Sequence, residues 1–176
     1  TGHTAETGAR VKKIEKFISP KKGTTHILRI IRELIDFKPG ENGTNIMEAL
    51  RYFSNVIKKR SIAFIISDFI DDNFKDAIKI ANKKHDIIAL RISDTSEKEL
   101  QDVGIVKIKD AESGKKLWIY TSYAKVRIAF REHQLKSDAA LTDLFIKCGV
   151  DYIELFTDKD YAKQLIKLFK KRESRR

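Results

Sequence analysis

Cysteine is nearly absent: Cys148 is the only one in 176 residues. That excludes an internal disulfide framework and any multi-cysteine metal site, and it suits a reducing compartment. Long apolar runs are missing too. The longest unbroken one, Ile62 to Ile66, falls far short of the ~20 residues that cross a bilayer. No secretory signal pattern opens the chain. The four histidines, His3, His26, His85 and His133, are scattered and form no metalloprotease-type pair. There is no dinucleotide fingerprint, no phosphate-cradling P-loop and no nucleophile elbow. These absences lead to the expectation of a soluble, cytoplasmic domain with no membrane segment.

What is present can fold. Hydrophobic residues make up 41% of the chain, enough to fill one core at this length. Charged residues reach 35%, with a net charge of +11. The charge is unevenly placed. Residues 1–60 hold 13 basic and 6 acidic side chains, residues 61–120 hold 10 and 11, and residues 121–176 hold 13 and 8. The basic excess sits at the ends, so a site in the middle third would attract a cation more naturally than a phosphate backbone. Nucleic acid is not the expected partner.

Residues 1–10 carry almost no large apolar side chain and are set aside as an unstructured lead. From Val11 onward strands and helices alternate. Val11–Ile18 reads as a polar edge strand, and Thr24 or Thr25 opens a helix with Ile27, Ile31, Leu34 and Ile35 at helical spacing. Asn45 with Glu48 fits a capping box for the next helix. Ile62–Ile66 reads as a parallel strand covered on both faces and central in the sheet. A helix near 73–84, a strand at 86–92, a hairpin of 105–109 with 116–120, and a long helix near 122–148 ending at Gly149 follow. A strand at 152–156 and a helix at 160–170 complete an α/β, doubly wound and mainly parallel sheet flanked by helices. In such sheets ligands bind beyond the carboxyl ends of the strands.

Three strands end alike, in Ser67-Asp68, Ser93-Asp94 and Thr157-Asp158. Capping the following helix is the ordinary use of such residues, and it is the expected one for Asp94 and Asp158. Asp68 is followed by Asp71 and Asp72, which could cap that helix instead, so capping and a functional task stay equally open for it. Thr44, in the loop before a helix, could cap it or turn a hydroxyl toward a hard cation, and Asn45 offers an alternative cap. Cys148 reads as a small core residue, and Trp118 as a hairpin side chain packed on the sheet.

The wording of FISPKKGTTHILRIIRELIDFKPGENGTNIMEAL, IKKRSIAFIISDFIDD, HDIIALRISD, GIVKIKDAESGKKLWIYT and VDYIELFTDKDY resembles the bacterial von Willebrand factor A-like proteins of unknown function associated with MoxR-type AAA+ ATPases. The resemblance covers residues 11–176 and implies a Rossmann-like domain with an inserted hairpin. In metal-binding members it implies a metal-ion-dependent adhesion site of three elements. Thr44 and Asp68 match the second and third of these; Asp71, Asp72 and Asp94 would stand in the surrounding shell. The first element, D-x-S-x-S after the first strand, is absent from this sequence. The domain is therefore expected to be incomplete, lacking its first strand, and to bind magnesium or another divalent cation weakly or not at all.

By resemblance the chain is expected to be a non-enzymatic interaction module whose partner is a MoxR-type ATPase or its client. A metal- or aspartate-dependent phosphoryl-transfer enzyme, and a basic nucleic-acid-binding domain, remain the alternatives.

Overall fold

The computed structural model describes residues 4–8, 14–38, 45–71, 73–109 and 116–175. The strands are β1 (Thr4–Gly8), β2 (Lys16–Lys21), β3 (Ile62–Ser67), β4 (Asp86–Ser93), β5 (Ile105–Lys109), β6 (Lys116–Tyr120) and β7 (Asp151–Phe156). The helices are α1 (Thr24–Asp36), α2 (Ile46–Val56), α3 (Lys75–Lys84), α4 (Ala124–Cys148) and α5 (Tyr161–Glu173). The architecture is mixed α/β with a parallel sheet flanked by helices, as the alternation of periodicities predicts. The chain divides into two compact units, residues 1–62 with 71–86, and residues 63–70 with 87–176.

The first unit holds an antiparallel β1–β2 pair and three helices. Residues 4–8, set aside as lead from the sequence, form β1, in register with β2 from Glu6↔Ile18 to Gly8↔Lys16. Main-chain pairing needs no large apolar side chain, which is why composition misses it. β2 begins at Lys16, later than the strand read from Val11, whose first residues lie outside the described set. Helix α2 carries Ile46 and Leu50, and α3 carries Ala77, Ile78 and Ala81, into a core closed by Phe74. Asn45 caps α2 as the pattern predicts, its Oδ1 accepting from Glu48 N–H at 2.9 Å. The start of α1 differs. Gly23, at φ 104, takes the N-cap position with no side-chain bond, in place of the expected threonines. The spaced residues Ile27, Ile31, Leu34 and Ile35 all remain exposed.

The second unit is built on a three-stranded sheet of order β3-β4-β7. β4 and β7 run parallel from Ile88↔Asp151 to Ser93↔Phe156. Ile87 to Leu90 are buried without interruption, the mark of a strand covered on both faces. Ile88 and Leu90 meet Leu155 of β7 and Leu168 of α5. Phe145 of α4 stacks on Tyr152, centroids 4.9 Å apart. α4 stops where Gly149 adopts φ 66, the left-handed cap read from the sequence.

Three expectations need correction here. Among the described residues β3 lies at one side of this sheet, with alternating exposure, and β4 lies between β3 and β7. Hydrophobic run length cannot tell the two apart, because an edge strand can carry apolar residues on both faces. The hairpin of β5 and β6 pairs as predicted, Lys107↔Trp118 among others, but Trp118 is 68% exposed and sits beneath the Lys107 ammonium at 5.1 Å. A cation above the ring supplies the contact that the sheet was expected to supply. Cys148 is half-buried, outside the core.

Candidate functional site

In the second unit the carboxyl ends of β3, β4 and β7 present Asp68, Asp94 and Asp158, and the three are held differently. Asp94 Oδ1 accepts from Ser96 N–H at 2.8 Å, opening a short 3-10 turn over 95–97. Its Oδ2 accepts from Thr157 Oγ1 at 3.0 Å. Bonds from Ser96, then from Thr157, hold the Asp94 carboxyl below its ordinary range. In return Thr95 Oγ1 donates to Asp158 at 2.9 Å, and Thr157 N–H donates to the Ser93 carbonyl at 3.0 Å. Asp94 caps, as read from the sequence. Asp158 does not, since Asp160 accepts from Ala162 and Lys163 N–H at the start of α5. A second aspartate two residues on competes for that role, and propensity alone cannot rank the two.

Asp68 is exposed and caps no helix. Its Oδ1 accepts from Ser67 Oγ at 3.3 Å and from Ile70 N–H at 3.2 Å, while Ser67 Oγ accepts from Phe69 N–H at 3.1 Å. Phe69 between them adopts φ 58. A bulky side chain there costs about 1–3 kcal/mol and persists only where its surroundings impose it. Burial does so: Phe69 packs edge-on against Phe145, centroids 5.1 Å apart. A strained, buried aromatic thus fixes the turn that holds Asp68 outward. Nothing in the sequence announces a positive φ at a phenylalanine.

Asp71 belongs to the first unit and is fully engaged. Its Oδ2 accepts from Ile46 N–H at 2.9 Å and its Oδ1 from Asn73 N–H at 3.0 Å. It accepts the first N–H of α2, whose N-cap is Asn45, instead of capping the following helix as it could, because the first turn of α2 offers an orphan N–H. Thr44 and Asp72 lie outside the described residues.

Sequence reasoning missed a polar network beneath the strand ends. Arg91 and Glu154 face each other in the β4–β7 register. Arg91 reaches Asp138 of α4 at 2.5 Å and Glu154 at 3.6 Å; Lys98 reaches the same two carboxylates at 2.6 and 2.7 Å. Ser93 Oγ donates to Glu154 at 2.7 Å. Burial opposes ionisation of Asp138, yet hydrogen bonds from Lys98 and Arg91 outweigh it and hold the carboxyl below its usual range. Burial likewise works against the charged forms of Arg91 and Lys98, and their carboxylate partners still raise both. Burial raises Tyr152, which lies beside the guanidinium. The available signal was a charged residue inside each of two otherwise apolar strands, ALRIS and YIELF. Two positive and two negative charges meet here, so the network neutralises itself and pins α4 to the sheet.

Among the described residues no three His, Cys, Asp or Glu side chains converge to hold a metal ion. Asp71 and Asp94 spend oxygens on main-chain N–H groups. The tail cations Arg172 and Arg175 are drawn to Asp151, which lowers the free charge at that end. No helix among the described residues is long and apolar enough to cross a membrane.

The chain is similar to several bacterial proteins. It is 28% identical over 116 residues to an uncharacterized protein of Mycobacterium avium, covering 65% of this chain and 68% of that one. It is also 28% identical over 111 residues to uncharacterized proteins of Mycobacterium bovis and Mycobacterium tuberculosis, of which it spans only 35%. Among solved structures, the conserved hypothetical protein BatB from Bacteroides thetaiotaomicron aligns over 82% of this chain and 68% of its own, at 13% identity and a TM-score of 0.44. The family described as "Protein of unknown function DUF58" matches residues 3–140, most of the chain, and the chain belongs to that family.

Proposed function

We propose that the chain is a protein-interaction module of von Willebrand factor A type, not an enzyme, and that Asp68 marks its docking rim. The observation that supports this most is the contrast among the acidic residues. Asp71, Asp94 and Asp160 engage both carboxylate oxygens, whereas among the described residues Asp68, exposed on a turn held by the strained Phe69, engages Oδ1 alone. Asn45 is the cap of α2, so Thr44 is not needed for that task. Recognition at such a rim rests on surface complementarity and on hydrogen bonds made by an outward carboxylate.

By resemblance the partner is a MoxR-type AAA+ ATPase or one of its clients. A tightly held cation is not part of this reading. The phosphoryl-transfer alternative would need a second free carboxylate beside Asp68, and Asp94, the one considered, is tied to Ser96 and Thr157.

The test is binding of the immobilised chain to the MoxR-type ATPase of the same organism. Asp68→Ala is expected to weaken binding at least tenfold, while the exposed control Asp143→Ala leaves it unchanged. Equal binding by both variants removes Asp68 from the interface. Stoichiometric micromolar magnesium binding in calorimetry contradicts the account of the metal.

A further inference from the structure

The β5–β6 hairpin is a two-stranded sheet distinct from β3-β4-β7. A hairpin by itself is marginally stable in water, so what holds this one is informative. Its root is tied by Thr121, which is fully buried. The Thr121 N–H and Oγ1 both donate to the Gly104 carbonyl at 2.8 Å, and the same Oγ1 accepts from Val103 N–H at 3.0 Å. Arg127 of α4 donates to the Thr121 carbonyl at 2.5 Å and pairs with Asp102 at 3.4 Å. Gly104 takes φ 81 within this knot, a conformation that a side chain would strain. The ribbon is thus rooted on α4 and holds its side chains in a fixed display.

Register decides what is displayed. Ile105 lies opposite Tyr120 and Lys107 opposite Trp118, so these four share one face, and all four are exposed. Tyr123, also exposed, extends that face through Tyr120, ring centroids 5.6 Å apart. Leu117, on the opposite face, is 53% exposed. Neither strand contains an acidic residue. Over residues 105–120, Lys107, Lys109, Lys115 and Lys116 outnumber Asp110 and Glu112. An exposed aromatic and aliphatic surface set among cations marks a place of contact.

We propose that this ribbon docks on the surface of an anionic lipid bilayer, seated in the headgroup layer without crossing it. Tryptophan and tyrosine join an apolar body to a polar tip and settle where hydrocarbon meets water. Lysine lays its stem in the same layer and sets its ammonium against lipid phosphate. Two details favour lipid over other occupants. The Lys107 ammonium stands over the Trp118 ring at 5.1 Å, so a nucleobase must displace it to stack there, whereas a lipid phosphate meets it in place. Leu117 opens on the face opposite Trp118, and a fluid headgroup layer wets both faces of a narrow ribbon where a rigid protein partner covers one. The contact rests on neither Asp68 nor the ATPase reading.

Trp118 is the only tryptophan of the 176-residue chain, so its fluorescence reports from the ribbon itself. With vesicles of equimolar phosphatidylglycerol and phosphatidylcholine at low ionic strength, its emission is expected to move to shorter wavelength and to resist acrylamide quenching. Vesicles of phosphatidylcholine alone are expected to bind about tenfold more weakly, and added salt to weaken binding to the anionic ones. Lys107→Glu keeps the reporter and is expected to weaken binding about tenfold, while Lys79→Glu, the same change of charge at an exposed site on α3, stays within about twofold. Trp118→Ala, followed by vesicle sedimentation, is expected to lose binding by about the same factor as Lys107→Glu, with thermal unfolding unchanged. An emission unmoved by anionic vesicles overturns the proposal, and so does equal weakening by Lys107→Glu and Lys79→Glu. Quenching by single-stranded oligothymidylate with no response to vesicles assigns the ribbon to nucleic acid and overturns it. Emission already at short wavelength and protected in the chain alone places Trp118 under another segment, and overturns it equally.

Discussion

Thr157 Oγ1 donates to the Asp94 carboxylate at 3.0 Å, across the ends of two strands that pair in parallel. The bond acts on the ionised acid. Because the folded carboxyl is held below its ordinary value near 3.8, the stabilisation is fully present above that pH and is lost as pH falls through the lower folded value. Thr157→Val keeps the shape and removes the donor. The Asp94 carboxyl is expected to titrate at higher pH in the variant, by carbon-detected NMR, with a small drop in melting temperature. An unchanged titration would place the cause in Ser96 alone.

Asp138 is shared by two cations, so its removal strands both. Asp138→Ala is expected to cost about 2 kcal/mol in urea unfolding, less than the ~3–5 kcal/mol of a fully buried pair. Its side chain is 25% exposed, and Glu154 still faces Arg91 and Lys98. The folded carboxyl is held low, so its contribution disappears as pH falls below about 3.8. The variant should therefore lose less stability on acidification than the parent.

His85 is fully buried, its ring 4.6 Å from that of Phe53, and neither nitrogen has a hydrogen-bond partner among the described residues. Burial, then the charge of Lys84, keeps it neutral and pushes its pKa down from 6.5. The unfolded chain binds the proton more readily, so stability is intact above pH 6.5 and falls as pH drops toward the folded value. His85→Phe removes an unsatisfied polar ring and is expected to gain about 1 kcal/mol at neutral pH. Its stability profile should be flat between pH 7 and 5, where the parent's declines. A parallel decline in both would acquit the histidine.

Two aspartates three positions apart should behave in opposite ways. Asp71→Ala takes the acceptor from the Ile46 N–H in the first turn of α2, which Asn45 still caps, and is expected to cost about 1 kcal/mol. Asp68→Ala, at an exposed turn, should stay within about 0.5 kcal/mol while weakening partner binding. Thermal unfolding of the pair separates the roles.

The order of elements was legible because hydrophobic period and cap residues are local signals. Asn45, Gly149 and the β5–β6 hairpin stand where those signals put them. What escaped was non-local. Whether β3 sits at the centre or edge depends on which strands flank it, and Ile62–Ile66 reads the same either way. Arg91 and Glu154 are meaningful only once β4 and β7 lie side by side. Asp71 serves a helix that begins 25 residues earlier, a partner no short window contains. At the candidate site, Asp68 was singled out by its neighbours, but the backbone strain at Phe69 had no trace in composition or spacing.

The β4–β7 ladder joins residues about 60 positions apart, from Ile88 with Asp151 onward. Helix α4, by contrast, hands over to β7 through Gly149 and Val150 alone. The helix–strand corner can thus nucleate from neighbours in sequence, while the parallel ladder must wait for a long chain excursion to close. Refolding should be governed by that late zippering, and during the wait β4, whose Ile87–Leu90 stretch is buried in the folded chain, lies bare to chaperone capture or to misassociation.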